Sequence, residues 1–92
     1  MRKDWSVIDH GVNDQPFLWQ KNGESRYVMI DVFQPDTMKR CYSVLLYLQD
    51  PYSSETVKGK LIGTGCADGS SETWNHAYER ARKIAEGYMD GD

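Results

Sequence analysis

Ser70-Ser71-Glu72-Thr73-Trp74-Asn75-His76-Ala77-Tyr78-Glu79-Arg80-Ala81-Arg82-Lys83-Ile84-Ala85-Glu86-Gly87-Tyr88-Met89 is the one convincing amphipathic helix in the sequence, and the rest of the chain is organised around it. Trp74, Ala77, Tyr78, Ala81, Ile84, Ala85 and Tyr88 recur at spacings of three and four, which a 3.6-residue period gathers into one apolar stripe. Ala77, Ala81 and Ala85 form a row that lets another backbone come close, while Trp74, Tyr78 and Tyr88 carry the area to be buried at either end. A β-sheet is the partner that suits this shape. Asp68, Ser70 and Ser71 are N-cap residue types, Glu72 puts a negative charge in the first turn, and Gly87 is the expected stop. On the other face Glu72/His76, Glu79/Lys83 and Arg82/Glu86 are i,i+4 pairs worth about 0.3 kcal/mol each in water, the pattern of a solvated surface.

Upstream, Phe17-Leu18-Trp19-Gln20-Lys21 and Glu24 to Gln34 flank Asn22-Gly23, a dipeptide that accepts positive φ at both centres of a type I′ turn. A two-residue turn sets Lys21 opposite Glu24, Trp19 opposite Arg26, Leu18 opposite Tyr27 and Phe17 opposite Val28. Phe17, Trp19, Val28, Ile30 and Val32 then share one side. Pro35-Asp36-Thr37 breaks the strand. Cys41 to Gln49 forms the next, Asp50 to Glu55 is a loop, and Thr56 to Cys66 is a last strand loosened or bulged by its glycines. The expectation is an α+β fold: an antiparallel four-stranded β-meander with one C-terminal α-helix packed on one face, a single domain over residues 1–92. Trp5 to His10 reads either as an added edge strand or as an anchored terminus, and Gly11 to Pro16 is loop chemistry.

One helix covers one side of such a sheet. Leu18, Tyr27, Met29, Phe33, Leu45 and Tyr47 then point to the other, an apolar area that loops, the Trp5-Val7-Ile8 segment, a second copy or a partner has to cover.

The formal net charge of −3 argues against a nonspecific nucleic-acid coat or a polybasic membrane binder. Met1-Arg2-Lys3 runs into Asp4-Trp5 without an apolar stretch, and no window approaches the roughly 18 apolar residues of a membrane span. Cys41 and Cys66 fit neither a CxxC redox motif nor a zinc half-site, and the reading is two partly buried free thiols in a reducing cytoplasm. Cys66, Asp68 and His76 are the only grouping that suggests a thiol nucleophile with a base, and His76 on the solvated helix face is expected to stand apart from Cys66. His10, His76, Cys41 and Cys66 lack metal-ligand spacing. Gly63-Thr64-Gly65-Cys66-Ala67-Asp68-Gly69 has a phosphate-loop flavour, but it is spaced GxGxxxG, carries no Walker lysine and has no parallel βαβ context. The expectation is therefore a non-enzyme without cofactor, metal or small-molecule substrate.

Lys39-Arg40, Lys58 with Lys60, and Arg80-Arg82-Lys83 are modest basic groups whose default is solvated surface. Tyr42 to Tyr88 faintly resembles the end of a double-stranded RNA-binding domain, in which strands pass through a Gly-x-Gly turn into a helix. Ser70, Ser71, Glu72 and Thr73 stand where that family has lysines, so its RNA contacts do not transfer.

In its length, its acidic balance, the Phe17-to-Gln34 hairpin and the Ser70-to-Met89 helix, the chain resembles the small phage-encoded anti-CRISPR proteins, in particular inhibitors of the type I-F surveillance complex. The resemblance implies a non-enzymatic inhibitor in the bacterial host cytoplasm that docks onto a Cas protein–guide RNA complex and blocks target DNA binding or hybridisation. Asp31, Asp36, Asp50, Glu55, Asp90 and Asp92 would meet Cas lysines and arginines, with Tyr27, Phe33 and Tyr47 as the aromatic part of the partner-binding surface. Lys39, Arg40, Lys58, Lys60, Arg80 and Lys83 would meet the guide backbone directly. The alternative is a small RNA or single-strand-binding module that stacks bases on Tyr27, Phe33 and Tyr47 of an open sheet face.

Overall fold

The computed structural model describes residues 4–11, 14–54, 56–68 and 74–91. Strands β1 (Trp5–Asp9), β2 (Leu18–Lys21), β3 (Tyr27–Asp36), β4 (Lys39–Tyr47) and β5 (Lys60–Asp68) precede helix α1 (Trp74–Asp90). All neighbouring strands pair antiparallel in the spatial order β1-β2-β3-β4-β5. The architecture is the expected α+β meander with one helix, but with five strands instead of four. Trp5 to Asp9 is the added edge strand, held because Trp5 buries its ring in the core while Val7 pairs with Trp19.

The hairpin at Asn22-Gly23 forms with a longer turn than expected. Lys21 N–H donates to Arg26 C=O at 2.9 Å, and Glu24 N–H donates to Lys21 C=O at 3.1 Å, with Gly23 at φ 78°. Four residues, Asn22 to Ser25, therefore sit in the connection, and Arg26 folds back to place its Nε 3.0 Å from the Glu24 carboxylate. Register moves by two: Trp19 faces Val28, Leu18 faces Met29 and Gln20 faces Tyr27. Because side chains alternate with period two, a slip of two leaves every residue on its expected face.

Pro35 does not end β3. The strand runs on to Asp36 through an irregularity after Phe33, where a residue lacking an N–H is tolerated. Asp36 then accepts the Met38 N–H at 2.8 Å and pairs with Lys39, leaving Thr37-Met38 as the turn. β5 starts later than expected, at Lys60, and does bulge: Val44 faces Gly63 and Leu45 faces Leu61, so Ile62 is the extra residue.

Helix α1 lies across β3, β4 and β5. Ala77, Tyr78, Ala81 and Ala85 of the expected stripe are fully buried. They pack with Trp5, Trp19, Val28, Ile30 and Val44, joined by Met89, which lies outside the expected stripe. A Cβ on Gly63 would stand 2.9 Å from Ile84 Cγ2, so the glycine is the space in which the helix approaches the edge strand. Tyr78 donates its hydroxyl to the Pro16 carbonyl, fastening the helix to the loop before β2. Trp74 stacks on Tyr78 with ring centroids 5.1 Å apart. Gly87 is not a stop: the helix passes through it on the solvent side, and Gly91 N–H closes the last turn on the Gly87 carbonyl. Asp68 ends β5 instead of capping the helix, and the other expected caps, Ser70 and Ser71, lie outside the described residues.

Cys41 and Cys66 are not free thiols. They face each other across β4 and β5 and are joined by a disulfide. Alternation puts both on the sheet face away from the helix, at one cross-strand level, and that shared level brings the sulfurs together. Sequence spacing alone does not suggest it.

Candidate binding surfaces

The second face of the sheet divides into a covered half and an open half. In the covered half Leu18, Tyr27 and Tyr47 form a second buried cluster, flanked by Phe17, Met29, Leu45 and Val57. The chain between β4 and β5 folds back over it. Val57 packs against the cluster, and Gly59 passes so near Tyr47 that a Cβ there would lie 2.8 Å from the ring and 3.1 Å from Leu45 Cβ. Of the covers considered from sequence, a loop is the one found.

That segment is braced by its own polar groups. Asp50 accepts the Tyr52 N–H at 2.9 Å on its carboxylate and the Ser53 N–H at 3.0 Å on its carbonyl. Thr56 N–H donates to Ser54 Oγ at 3.2 Å. Tyr52 then reaches Asp9, its hydroxyl donating to the carboxylate at 3.0 Å. The Gly11 N–H, first, and the Tyr52 hydroxyl, second, hold the Asp9 carboxyl below its usual range, because both donate to the ionised form. Tyr52 moves up, through partial burial and then through its bond to the Asp9 anion.

Burial removes two of the three expected aromatic platforms. Tyr27 and Tyr47 are each only 9 % exposed beneath the covering segment, so neither offers a ring face for a base to stack on. Phe33 is different, at 42 % exposure on β3. It faces Cys41, which faces Cys66, so that an aromatic ring and a disulfide make one row across three strands. The next row is Asp31, Ser43 and Thr64, with Asp31 and Thr64 exposed. These two rows are the open half. The disulfide ties β4 to β5 beneath it, closing a sequence separation of 25 residues, a constraint worth about 3 kcal/mol against the unfolded chain.

The remaining candidates scatter. Asp36 and Asp50 are spent on turn N–H groups, and Glu55 and Asp92 lie outside the described residues. Asp90 is exposed in the last turn of α1. Lys39 and Arg40 stand where β4 begins, and Arg40 donates to Gln34 Oε1 at 2.6 Å. Lys60 is at the opposite end of the same ladder, facing Leu46, with Lys58 just before it. Arg80 and Lys83 are on the outward face of α1 beside His76 and Glu79. Three separate basic places result, not one track along which a nucleic-acid backbone would lie.

Oxidation of Cys66 withdraws the thiol from the Cys66, Asp68 and His76 grouping considered from sequence, and a disulfide sulfur has no proton for a base to take. Among the described residues no group of three or more His, Cys, Asp or Glu side chains is arranged to hold a metal ion, and no helix is long and apolar enough to cross a membrane. The signal for Phe33 was present in the alternation of β3; the signal for the covering segment was only its length and its single Val57. No protein-family model, no curated protein and no solved structure matches the chain.

Proposed function

We propose that the protein works by docking, non-covalently, onto a macromolecular partner through the open half of its second sheet face. The observation that carries this reading is Phe33: a large apolar side chain left exposed on a central, paired stretch of strand, on the same face as the Asp31 carboxylate. A rigid aromatic anchor with a charged neighbour is the arrangement that protein interfaces use at their energetic centres. Asp31 suits a partner with a basic surface.

The partner in this proposal is the type I-F Cas protein–guide RNA complex, to which the sequence resemblance points. The protein is then an inhibitor that occupies basic protein surface and blocks target DNA binding. Its contacts are made mainly to Cas protein, since the aromatic and basic residues that RNA stacking needs are buried or dispersed. The test is co-purification with a type I-F complex followed by a target-DNA binding assay. Wild-type protein is expected to lower DNA binding, and Phe33→Ala with Asp31→Lys to restore it. Failure to co-purify removes the Cas reading.

A second reading is supported by the disulfide. Structural disulfides form and persist chiefly in oxidising compartments, so the same docking face would serve a partner outside the reducing cytoplasm. Trapping thiols at the moment of cell lysis separates the two. Alkylated Cys41 and Cys66 favour the cytoplasmic inhibitor, and an intact bridge favours the second reading.

A further inference from the structure

After the Leu46–Lys60 pair the two arms of the β4–β5 hairpin part company. One arm continues as Leu48, 67 % exposed, while the other returns as Thr56, Val57 and Lys58 toward the second face of the sheet. Between them lies an open cleft of about 320 Å³, at the small end of the roughly 300–1,000 Å³ range of ligand sites. Leu46, Leu48 and Val57 supply its apolar part, Gln49 and Thr56 are polar neighbours, and Lys58 and Lys60 are the two charged residues in its lining. No carboxylate and no aromatic ring lines it among the described residues. This cleft lies at the end of the ladder away from Cys41, and so apart from the Phe33 face.

We propose that this cleft is a second binding site, independent of the docking face, and that it takes an acidic, extended peptide segment carrying an aliphatic side chain. The aliphatic side chain sits against Leu46, Leu48 and Val57, and flanking carboxylates pair with Lys58 and Lys60. Charge complementarity selects the occupant. Both lysines line the same cleft as the three aliphatic residues, so a carboxylate next to a leucine suits both kinds of group at once and is less screened than on open surface. A single-stranded nucleic acid is a poorer fit: its bases need flat π faces, and the other basic residues lie elsewhere on the molecule.

The test is fluorescence polarisation with three labelled probes: the peptide Glu-Glu-Leu-Glu-Glu, the same peptide with serine in place of leucine, and an oligouridine RNA. The first is expected to bind saturably, to weaken with added salt, and to lose roughly tenfold or more in affinity on K58E with K60E, equivalent to about 1.4 kcal/mol. Leu48→Ser and the serine peptide are expected to lose a similar factor. Lys58, Lys60 and Leu48 are exposed, so an unchanged thermal midpoint verifies that each variant is folded. No saturable binding of the leucine peptide at millimolar concentration, equal binding of the serine peptide, or tighter binding of the RNA at the same salt would each overturn the proposal.

Discussion

The Tyr52 hydroxyl donates to the Asp9 carboxylate at 3.0 Å, joining the connection between β4 and β5 to the first strand, 43 positions earlier in the chain. This bond closes the cover over Tyr27 and Tyr47. Tyr52→Phe is expected to leave the fold intact while speeding amide exchange in residues 52–59. Unchanged exchange there would mean that Val57 and Gly59 hold the cover without the latch.

The same bond sets a pH dependence. The Asp9 carboxyl is held below its ordinary value by the Gly11 N–H and then by Tyr52, so the ionised form favours the folded state. A group lowered in this way contributes stability that is complete above the unfolded value near 3.8 and is lost as pH falls through the lower folded value. Thermal midpoints of wild type and Asp9→Asn should therefore differ at neutral pH and converge in acid below that value. A gap that persists into acid would contradict the assignment.

Gly59→Ala tests the close approach of the covering segment directly. A Cβ at 2.8 Å from the Tyr47 ring and 3.1 Å from Leu45 Cβ forces one of them to move, at a cost of about 1–3 kcal/mol. Chemical denaturation reads that loss, and near-ultraviolet circular dichroism reads the displaced tyrosine. The equivalent change at Gly87, where a Cβ meets nothing on the exposed side of the helix, is expected to be neutral or to stabilise by up to about 1 kcal/mol.

Much of this architecture can be read from residue order. Period-two alternation in β3 and β4 and the alanine row of α1 assign faces correctly, because burial depends on parity and helical phase, which survive an error of two in register. Gly87 and Pro35 mislead for one shared reason: local preferences worth about 1 kcal/mol yield to the packing of Tyr78, Ala81 and Met89 or to the β3–β4 ladder. The covered half of the second face was illegible, since nothing local says that residues 56–59 turn back onto Tyr47. The disulfide needed the register of β4 on β5, including the Ile62 bulge, before Cys41 and Cys66 came level.

Cys41→Ser, or reduction of the bridge, releases the β4–β5 constraint and is expected to lower stability by about 3 kcal/mol. The protein should still fold, because the core formed by Trp19, Val28, Val44 and Tyr78 does not include either cysteine. Comparing denaturation midpoints with and without reductant measures this. A midpoint indifferent to reductant, together with free thiols by alkylation, would show that the bridge is not formed.

The half-face around Phe33 and Asp31 is the proposed meeting place with a partner. Hydrogen exchange of the protein alone and mixed with the purified type I-F complex checks this. Docking there is expected to slow exchange in residues 30–34, 41–44 and 63–66 and to leave residues 50–59 unchanged. Protection confined to the helix or to residues 50–59, or none in the presence of the complex, would contradict it.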